Sequence, residues 1–388
     1  MKVIDVYEGY FASEGVFSGV ARRSAQGLTM GNEKTKKALI AMSGGVDSSV
    51  AALLTKEAGC DCIGCMMKLR ESEETPSGAR SCCTLDDAED ARAAAARIGI
   101  PFYVFNFTKE FEDKVVRHFI GCYLCGMTPN PCIECNKHLK FDLLFERALA
   151  LGCDRIVTGH YARVVFENGE YKLKKATDDK KDQSYVLYRL TQEQLAHVLF
   201  PLGKMTKEET RRIAEEHGFV NARKPDSQDI CFVPDGKYAE FIREHTGKEI
   251  EKGNFIDGQG NVLGRHKGIV YYTVGQHKGL GLVTDVPLYV KAILPETNEI
   301  VLAENEDLFT SSARLHDLHF ISPNPPAGPF EADVKIRYRH KAQRAAVTPD
   351  GNGGAEVRFS EPQRAVTPGQ AAVFYDGDTV LGGGVIIA

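Results

Sequence analysis

The stretch Ala38-Leu-Ile-Ala-Met-Ser-Gly-Gly-Val-Asp-Ser-Ser49 constrains the fold of this chain more than any other. Ala38 to Met42 is an apolar run of strand length, and Val50-Ala-Ala-Leu-Leu54 reads as the apolar face of a helix, so Ser43 to Asp47 is the turn between them. Gly44 and Gly45 accept backbone angles that side chains resist, which lets successive N–H groups converge on one anion. The following helix presents its positive end to the same point, so the turn is built to hold phosphate. It has neither the G-x-x-x-x-G-K-[ST] of a Walker loop nor the G-x-G-x-x-G of a dinucleotide fingerprint. An ordinary glycine-rich strand-to-helix turn is the alternative that this stretch alone leaves open.

Between Lys36 and about Leu202, strand-like and helix-like segments alternate: strand 39–42, helix 47–58, strand 62–67, helix 85–98, strand 102–106, helix 109–125, helix 138–151 and strand 155–158. Alternation of this kind predicts an α/β domain with a parallel sheet and helices on both faces, with ligands at the carboxyl ends of the strands. Ala41 to Ser48, Met67 and Gly159-His160 all fall at such ends. Asn168-Gly169 then predicts a hairpin between 161–166 and 171–175, crowded by Lys172, Lys174, Lys175, Lys180 and Lys181. Thr206 with Glu209 predicts a capping box opening a helix that stops at Gly218.

At 388 residues the chain exceeds one ordinary core, and about two or three domains are expected. The text from 223 to 285 is rich in Gly and short in period, which suits a small connecting domain. From 286 to 388 the period becomes two, predicting an all-β domain, a barrel. Strand alternation from 332 to 339 would put Lys335, Arg337, Arg339 and Lys341 on one face, either solvated or turned to RNA. Residues 1–35 show no sustained period and are expected to form a loose extension or a short packed helix, with Met30 as a second candidate start. The catalytic domain is then 36–222.

A net charge of −5 carries no global signature of nucleic-acid binding, although local patches still act over about a Debye length, ~10 Å. No apolar run approaches the ~18 residues of a membrane helix, and no apolar leader follows the first charges, so the expected location is the cytoplasm. The 11 cysteines are front-loaded, none following Cys231, and an odd set in a chain of this length is a poor disulfide framework. Thiol chemistry or metal binding is the better expectation.

Thr128-Pro-Asn-Pro-Cys-Ile-Glu-Cys-Asn-Lys137 is the second informative stretch. Pro129 and Pro131 predict a stiff loop that presents Cys132 and Cys135 outside any helix. Cys-x-x-Cys can be a thiol pair, half of a zinc site or part of an iron–sulfur site. With Cys122 and Cys125 it could close a zinc knuckle. Those two instead continue a helix whose apolar positions are Phe111, Val115, Phe119 and Tyr123, so packing also explains them. Cys60, Cys62, Cys65, Cys82 and Cys83 sit in or beside strand-like segments and read as structural.

Ser43 to Ser49 resembles the pyrophosphate-binding loop of the ATP pyrophosphatase superfamily. Together with Thr128-Pro-Asn-Pro and Cys135-Asn-Lys, and with Asp226-Ser-Gln-Asp-Ile-Cys-Phe232, it resembles the tRNA 2-thiouridylase family. Gly159-His-Tyr161, Lys181-Asp-Gln-Ser-Tyr185, Tyr272-Thr-Val-Gly-Gln-His-Lys-Gly-Leu-Gly281, Arg337-Tyr-Arg339, Thr367-Pro-Gly-Gln-Ala-Ala-Val-Phe-Tyr375 and Leu381-Gly-Gly-Gly384 extend the resemblance from Lys36 to the C-terminus. It implies that MgATP binds at Ala41, Met42, Ser43, Gly44, Gly45, Val46, Asp47 and Ser48, near Met67 and Gly159. It implies further that ATP adenylates O2 of the wobble uridine of tRNA. Sulfur from a relay protein or a cysteine desulfurase would ride on Cys231 as a persulfide, with Cys135 as second thiol and Asp47 serving adenylation. Asn130, Pro131, Cys132, His160, Lys181, Asp182, Gln183, Arg337, Tyr338 and Gln370 match the family's positions that contact the anticodon stem-loop.

One departure stands out: Cys132 occupies a place where the best-known members of the family have an aspartate, so the acid/base role usual at that position is not carried over. Cys132, Cys135 and Cys231 are thereby three candidate ligands for a [4Fe-4S] cluster with one open iron, set against a cluster-free persulfide route. Two other readings stay open at this point: a different adenylating enzyme of the superfamily, such as an amide-forming synthetase, and a noncatalytic metal-bound RNA-binding protein.

Overall fold

The computed structural model describes residues 36–70, 85–226, 230–233, 236–247 and 249–387. The expectations for residues 1–35 and for Cys82 and Cys83 lie outside these residues. Strands β1 (Lys37–Ala41), β2 (Asp61–Lys68), β3 (Phe102–Asn106) and β4 (Arg155–Val157) pair in parallel in the order β3-β2-β1-β4. The central strand is buried on both faces, which is why Ala38, Leu39 and Ile40 are all apolar and fully inaccessible. Ala38 and Ile40 point to the helices Val46–Glu57 and Leu85–Ile98. Leu39 points to the other face, against Phe111, Phe119, Leu139 and Leu144. Phe111, Val115, Phe119 and Tyr123 are buried as their spacing predicts.

The hairpin forms between β5 (Ala162–Glu167) and β6 (Glu170–Lys175), with Asn168 and Gly169 at φ of 53° and 82°. Both central residues at positive φ make the tight turn that matches strand twist. A short β7 (Val198–Leu199) then completes the first sheet beside β4. The capping box is present in both directions: Thr206 Oγ1 accepts from Glu209 N, and the Glu209 side chain accepts from Thr206 N, opening the helix Lys207–Glu216.

A second sheet holds β8 (Gly253–Ile256), β9 (Val262–His266), β10 (Tyr289–Leu294) and β11 (Glu299–Ala303) in the order β10-β11-β8-β9. The runs at 289–294 and 299–303 share the period of the C-terminal strands but pair with the connecting segment, through the parallel β11–β8 contact. Periodicity reports burial on one face and says nothing of which strand lies alongside.

The C-terminal strands β12 (Phe309–Phe320), β13 (Phe330–Lys335), β14 (Gln343–Pro349), β15 (Ala355–Arg364), β16 (Ala371–Asp376) and β17 (Thr379–Ile386) run β12-β15-β14-β13-β16-β17, and the antiparallel β12–β17 pairing closes the barrel. Val334, Val347, Val357, Phe374 and Ile386 fill its interior. The first domain's hairpin continues the barrel sheet, through Lys174 of β6 beside Thr379 of β17.

Two expectations are corrected. Pro131 does not exclude a helix; it starts one. Pro131–Glu134, Cys135–Leu143 and Leu144–Ala150 run on as a single helix with a π-helical middle, and Cys132 and Cys135 lie in its first turns rather than on a loop. At the first helical position a missing N–H costs nothing, because that donor has no intrahelical acceptor anyway. Lys335, Arg337, Arg339 and Lys341 do not share a strand face either. β13 ends at Lys335, and a turn follows in which His340 N donates to Arg337 O at 3.1 Å.

Candidate active site

The phosphate loop sits at the carboxyl end of β1. Gly45 caps the helix Val46–Glu57 in an extended conformation and gives it no side-chain cap, leaving the first-turn N–H groups for an anion. Ser43 N is used internally, donating to Ser48 Oγ at 3.1 Å, and Ser48 Oγ donates to Gly45 O at 2.9 Å. Gly44 has φ of 76°, and a Cβ there would collide with the backbone carbonyl of Asp87. A Cβ on Gly159, just past β4, would stand 2.8 Å from Asp47 C and Ser48 N. Glycine is required at both places because backbone approaches backbone. Ala41 and Met67, at the ends of β1 and β2, are half-buried on one apolar cluster, and Met42 is buried with its N–H on Cys65 O.

Asp47 is held by Tyr161, from the Gly159-His-Tyr161 motif, and by Lys207, which the sequence did not single out. The Lys207 ammonium donates to both carboxylate oxygens, at 2.7 and 2.8 Å, and Tyr161 OH donates to Oδ1 at 2.9 Å. Thr210 Oγ1 lies 3.0 Å from the same phenol oxygen. Burial first, and Asp47 second, push the Tyr161 phenol far up, so it stays a neutral donor. Lys207 stands 2.7 Å from Asp226 Oδ1 as well, and Lys181 and Arg211 hold the same carboxylate at 2.7 and 3.1 Å. Burial opposes charge on Asp226, yet the bonds from Lys181 and Lys207 keep it below the usual carboxylate range. Asn221 Nδ2 donates to Gly44 O and Ser49 Oγ, and Lys224 pairs with Asp87 and Asp90 at 2.7 and 2.6 Å. One signal pointed to Lys207: a lysine at the first position of a capped helix opposes the helix dipole, so it needs a compensating partner.

Asn130 caps the cysteine helix, its Oδ1 accepting from Cys132 N at 3.1 Å. Cys132 is exposed; Cys135 and Cys231 are half-buried and pack against the same apolar cluster as Ala41 and Met67. Phe232, beside Cys231, is 1% exposed among Phe111, Phe119 and Phe241. Cys122 is buried, 3.5 Å from His118 Nε2, and Cys125 is exposed. Among the described residues no group of three His, Cys, Asp or Glu side chains is gathered to hold a metal ion. Neither the knuckle nor the set Cys132, Cys135 and Cys231 is therefore assembled as a ligand cage.

The barrel meets the cysteine helix at its N-terminus. Gln370 Nε2 donates to Thr128 O and Thr128 N to Pro368 O, while a Cβ on Gly369 would lie 2.8 Å from Thr128 N. Asn130, Pro131, Cys132 and Gln370 thus share one seam, with Tyr338 close enough to feel Cys132. Burial, then Asp182 and Cys132, push the Tyr338 phenol up to about 12. Arg337 donates to Arg364 O and Ala365 O, and burial holds its guanidinium below its ordinary value. Lys181 engages Asp226. His160 lies inside, 8% exposed between Phe141 and Phe200, and burial holds it neutral. Asp182 is buried on Ala176 N and Ser184, and Gln183 Oε1 accepts from Tyr161 N. Asp182 and Gln183 thus tie the segment after β6 back to Ala176 and Tyr161.

Three family models cover the chain: a tRNA methyl transferase HUP domain over 36–235, a tRNA methyl transferase PRC-barrel domain over 239–304, and an aminomethyltransferase beta-barrel domain over 310–386. A protein of Clostridioides difficile, tRNA-specific 2-thiouridylase MnmA, is 50% identical over 353 residues, 90% of this chain and 98% of its own. A protein of the same name from Carboxydothermus hydrogenoformans is 50% identical over 355 residues, 90% of this chain and 97% of its own. The one from Acetivibrio thermocellus is 48% identical over 355 residues, 90% and 99% of the two chains.

Proposed function

The chain belongs to the family of tRNA-specific 2-thiouridylases, and on that premise we propose how its residues divide the reaction. The enzyme is an ATP-dependent tRNA-uridine 2-sulfurtransferase: it adenylates the wobble uridine and replaces O2 by sulfur. The observation that carries the assignment of groups is that Cys135 and Cys231, far apart in sequence, pack on one apolar cluster with Ala41 and Met67, which end the strands beside the phosphate loop.

Uridine O2 is a poor leaving group. Its attack on the α-phosphorus of ATP expels pyrophosphate into the first turn of the helix Val46–Glu57, where unused N–H groups and the helix dipole receive negative charge. Magnesium bound with ATP would be held mainly by phosphate oxygens, with Asp47 as the carboxylate placed to join them, and would neutralise charge on the phosphates. The O2-adenylated ring is electrophilic at C2. The terminal sulfur of a Cys231 persulfide attacks there, AMP leaves with the uridine oxygen, and the Cys135 thiolate then attacks Cys231 Sγ. The S–S bond breaks toward the nucleoside, leaving 2-thiouridine and a Cys135–Cys231 disulfide that an external thiol reduces. A relay protein or a cysteine desulfurase supplies the persulfide sulfur.

The seam between barrel and cysteine helix, with Asn130, Pro131, Cys132, Tyr338 and Gln370, is the surface for the anticodon stem-loop, and His160, Asp182 and Gln183 support it from within. Extruding the uridine costs about a few kcal/mol, less in a single-stranded loop. In this reading the sulfur travels as a persulfide on Cys231, without bound iron. Protein purified under argon and assayed with ATP, tRNA and persulfide is expected to release pyrophosphate only when ATP and tRNA are both present, and to thiolate without bound iron. Activity that rises and falls with iron content would overturn the cluster-free route; salt-dependent tRNA binding without pyrophosphate release would overturn the enzyme reading.

A further inference from the structure

Arg337 is a cation in a setting that supplies it with no anion. Of the five N–H donors of its guanidinium, the two on Nη2 go to Arg364 O at 2.7 Å and Ala365 O at 2.8 Å. Among the described residues Nε and Nη1 have no acceptor, and no carboxylate forms an ion pair with the group. Lys335 stands alike: its ammonium lies 5.9 Å from the Tyr185 ring centre and 6.0 Å from that of Tyr338, with no ion pair among the described residues. Burial holds both cations below their ordinary values. A half-buried charge is costly until it is paired, so two of them beside one tyrosine pair call for an anion from outside.

The carbonyls that hold Nη2 belong to successive residues, which an extended strand turns toward opposite neighbours. β15 ends at Arg364, and Ala365 has φ of 54°. The other described residues besides glycine at positive φ are Asn168, Asn298 and Asp317, types that tolerate this region, whereas alanine enters it at a cost. Ala365 is 2% exposed, and its surroundings keep it there. Its N–H donates to Leu308 O and its carbonyl accepts from Thr367 Oγ1, both at 2.8 Å, while a Cβ on Gly275 would stand 2.8 Å from the Ala365 methyl. The Arg364 side chain is tied down too, with Nε on Asn305 Oδ1 at 2.9 Å and the guanidinium 5.1 Å over the Tyr289 ring of β10.

We propose that the left-handed Ala365 is a positioning residue: it turns two successive carbonyls onto Arg337 Nη2, so that Nε and Nη1, with Lys335 nearby, are left to take a backbone phosphate of tRNA. Ala365 itself touches no reacting atom and acts only through Arg337. Phosphate contacts set register rather than sequence, so the device governs where the anticodon loop lies and not which base is read. The proposal rests on the thiolase reading, which does not require Ala365.

The test is a double-mutant cycle on the full chain, reading kcat and KM for tRNA in 2-thiouridine formation together with the salt dependence of tRNA binding. Arg337→Met is expected to raise KM about tenfold and to lower the slope of log affinity against log salt by about one, the mark of one lost phosphate contact. Ala365→Gly should raise KM about threefold with kcat within about twofold, because glycine adopts this φ freely and keeps the fold while loosening the carbonyls. In the Arg337→Met background Ala365→Gly should change nothing further. Arg337→Lys, which keeps the charge but not the planar fork, should keep the salt slope and lose the response to Ala365→Gly; it supplies the cycle if Arg337→Met folds poorly. An unchanged KM in Ala365→Gly, a loss in kcat rather than KM, an undiminished effect of Ala365→Gly without Arg337, or an unchanged salt slope in Arg337→Met would overturn the proposal. A wild-type enzyme that makes no 2-thiouridine would contradict the thiolase reading instead.

Discussion

Replacing Cys231 by Ser is expected to abolish 2-thiouridine formation, by more than about a thousandfold, while one equivalent of pyrophosphate is still released per enzyme. A serine oxygen cannot carry sulfane sulfur, so no later step compensates. The fold should survive, because the residue is half-buried and its neighbours Phe232 and Val233, both nearly inaccessible, keep the local packing. A cost of about 1 kcal/mol or less is anticipated for this near-isosteric exchange. Binding of tRNA should be unchanged. The decisive readout is nucleoside composition of tRNA from a strain whose only copy is the variant: thiouridine that still accumulates there excludes Cys231 as sulfur carrier.

Asp47→Ala is expected to fail one step earlier. Pyrophosphate release should fall by more than about a hundredfold, with tRNA affinity unchanged, because the loss lies at the phosphate loop. Removing the carboxylate strips Lys207 of two acceptors at 2.7 and 2.8 Å and Tyr161 of one at 2.9 Å. Lys207 keeps Asp226, and the Asp47 side chain is 32% exposed. The stability loss should therefore be about 1–3 kcal/mol rather than the full cost of an orphaned buried charge. Asp47→Asn, which keeps the shape and one acceptor, should recover most of the stability and little of the activity. Pyrophosphate release at the wild-type rate in either variant would remove Asp47 from the adenylation step.

The first sheet was legible because its signal is local. Three apolar residues in β1, two glycines, and an apolar helix face specify strand, turn and helix within a dozen positions, and the capping box at Thr206 and Glu209 is equally self-contained. The phosphate loop was readable on the same grounds. What escaped was long-range. Lys207 meets Asp47 across 160 residues, and no local pattern announces that partner. The strands at 289–294 and 299–303 had the right period, but pairing partners are chosen by tertiary packing. Proline usually breaks a helix, but Pro131 stands directly after Asn130, a helix-capping residue, and in that place it marks a start. Arg337 and Arg339 continue the alternation of a strand that ends at Lys335, where a turn already bends the chain and no local signal marks it. His160 and Asp182 carry polar side chains in motif positions, yet both are buried, a property that sequence alone does not state.

The central claim is that this chain spends ATP to exchange uridine O2 for sulfur through an adenylate. The most direct measurement uses tRNA whose wobble uridine carries oxygen-18 at O2, incubated anaerobically with the full chain, ATP and persulfide, followed by mass spectrometry of the nucleosides and of AMP. The account predicts 2-thiouridine at the wobble position, formed only with ATP, and oxygen-18 in the phosphate of AMP. Thiouridine formed without ATP, or AMP free of the label, would contradict it.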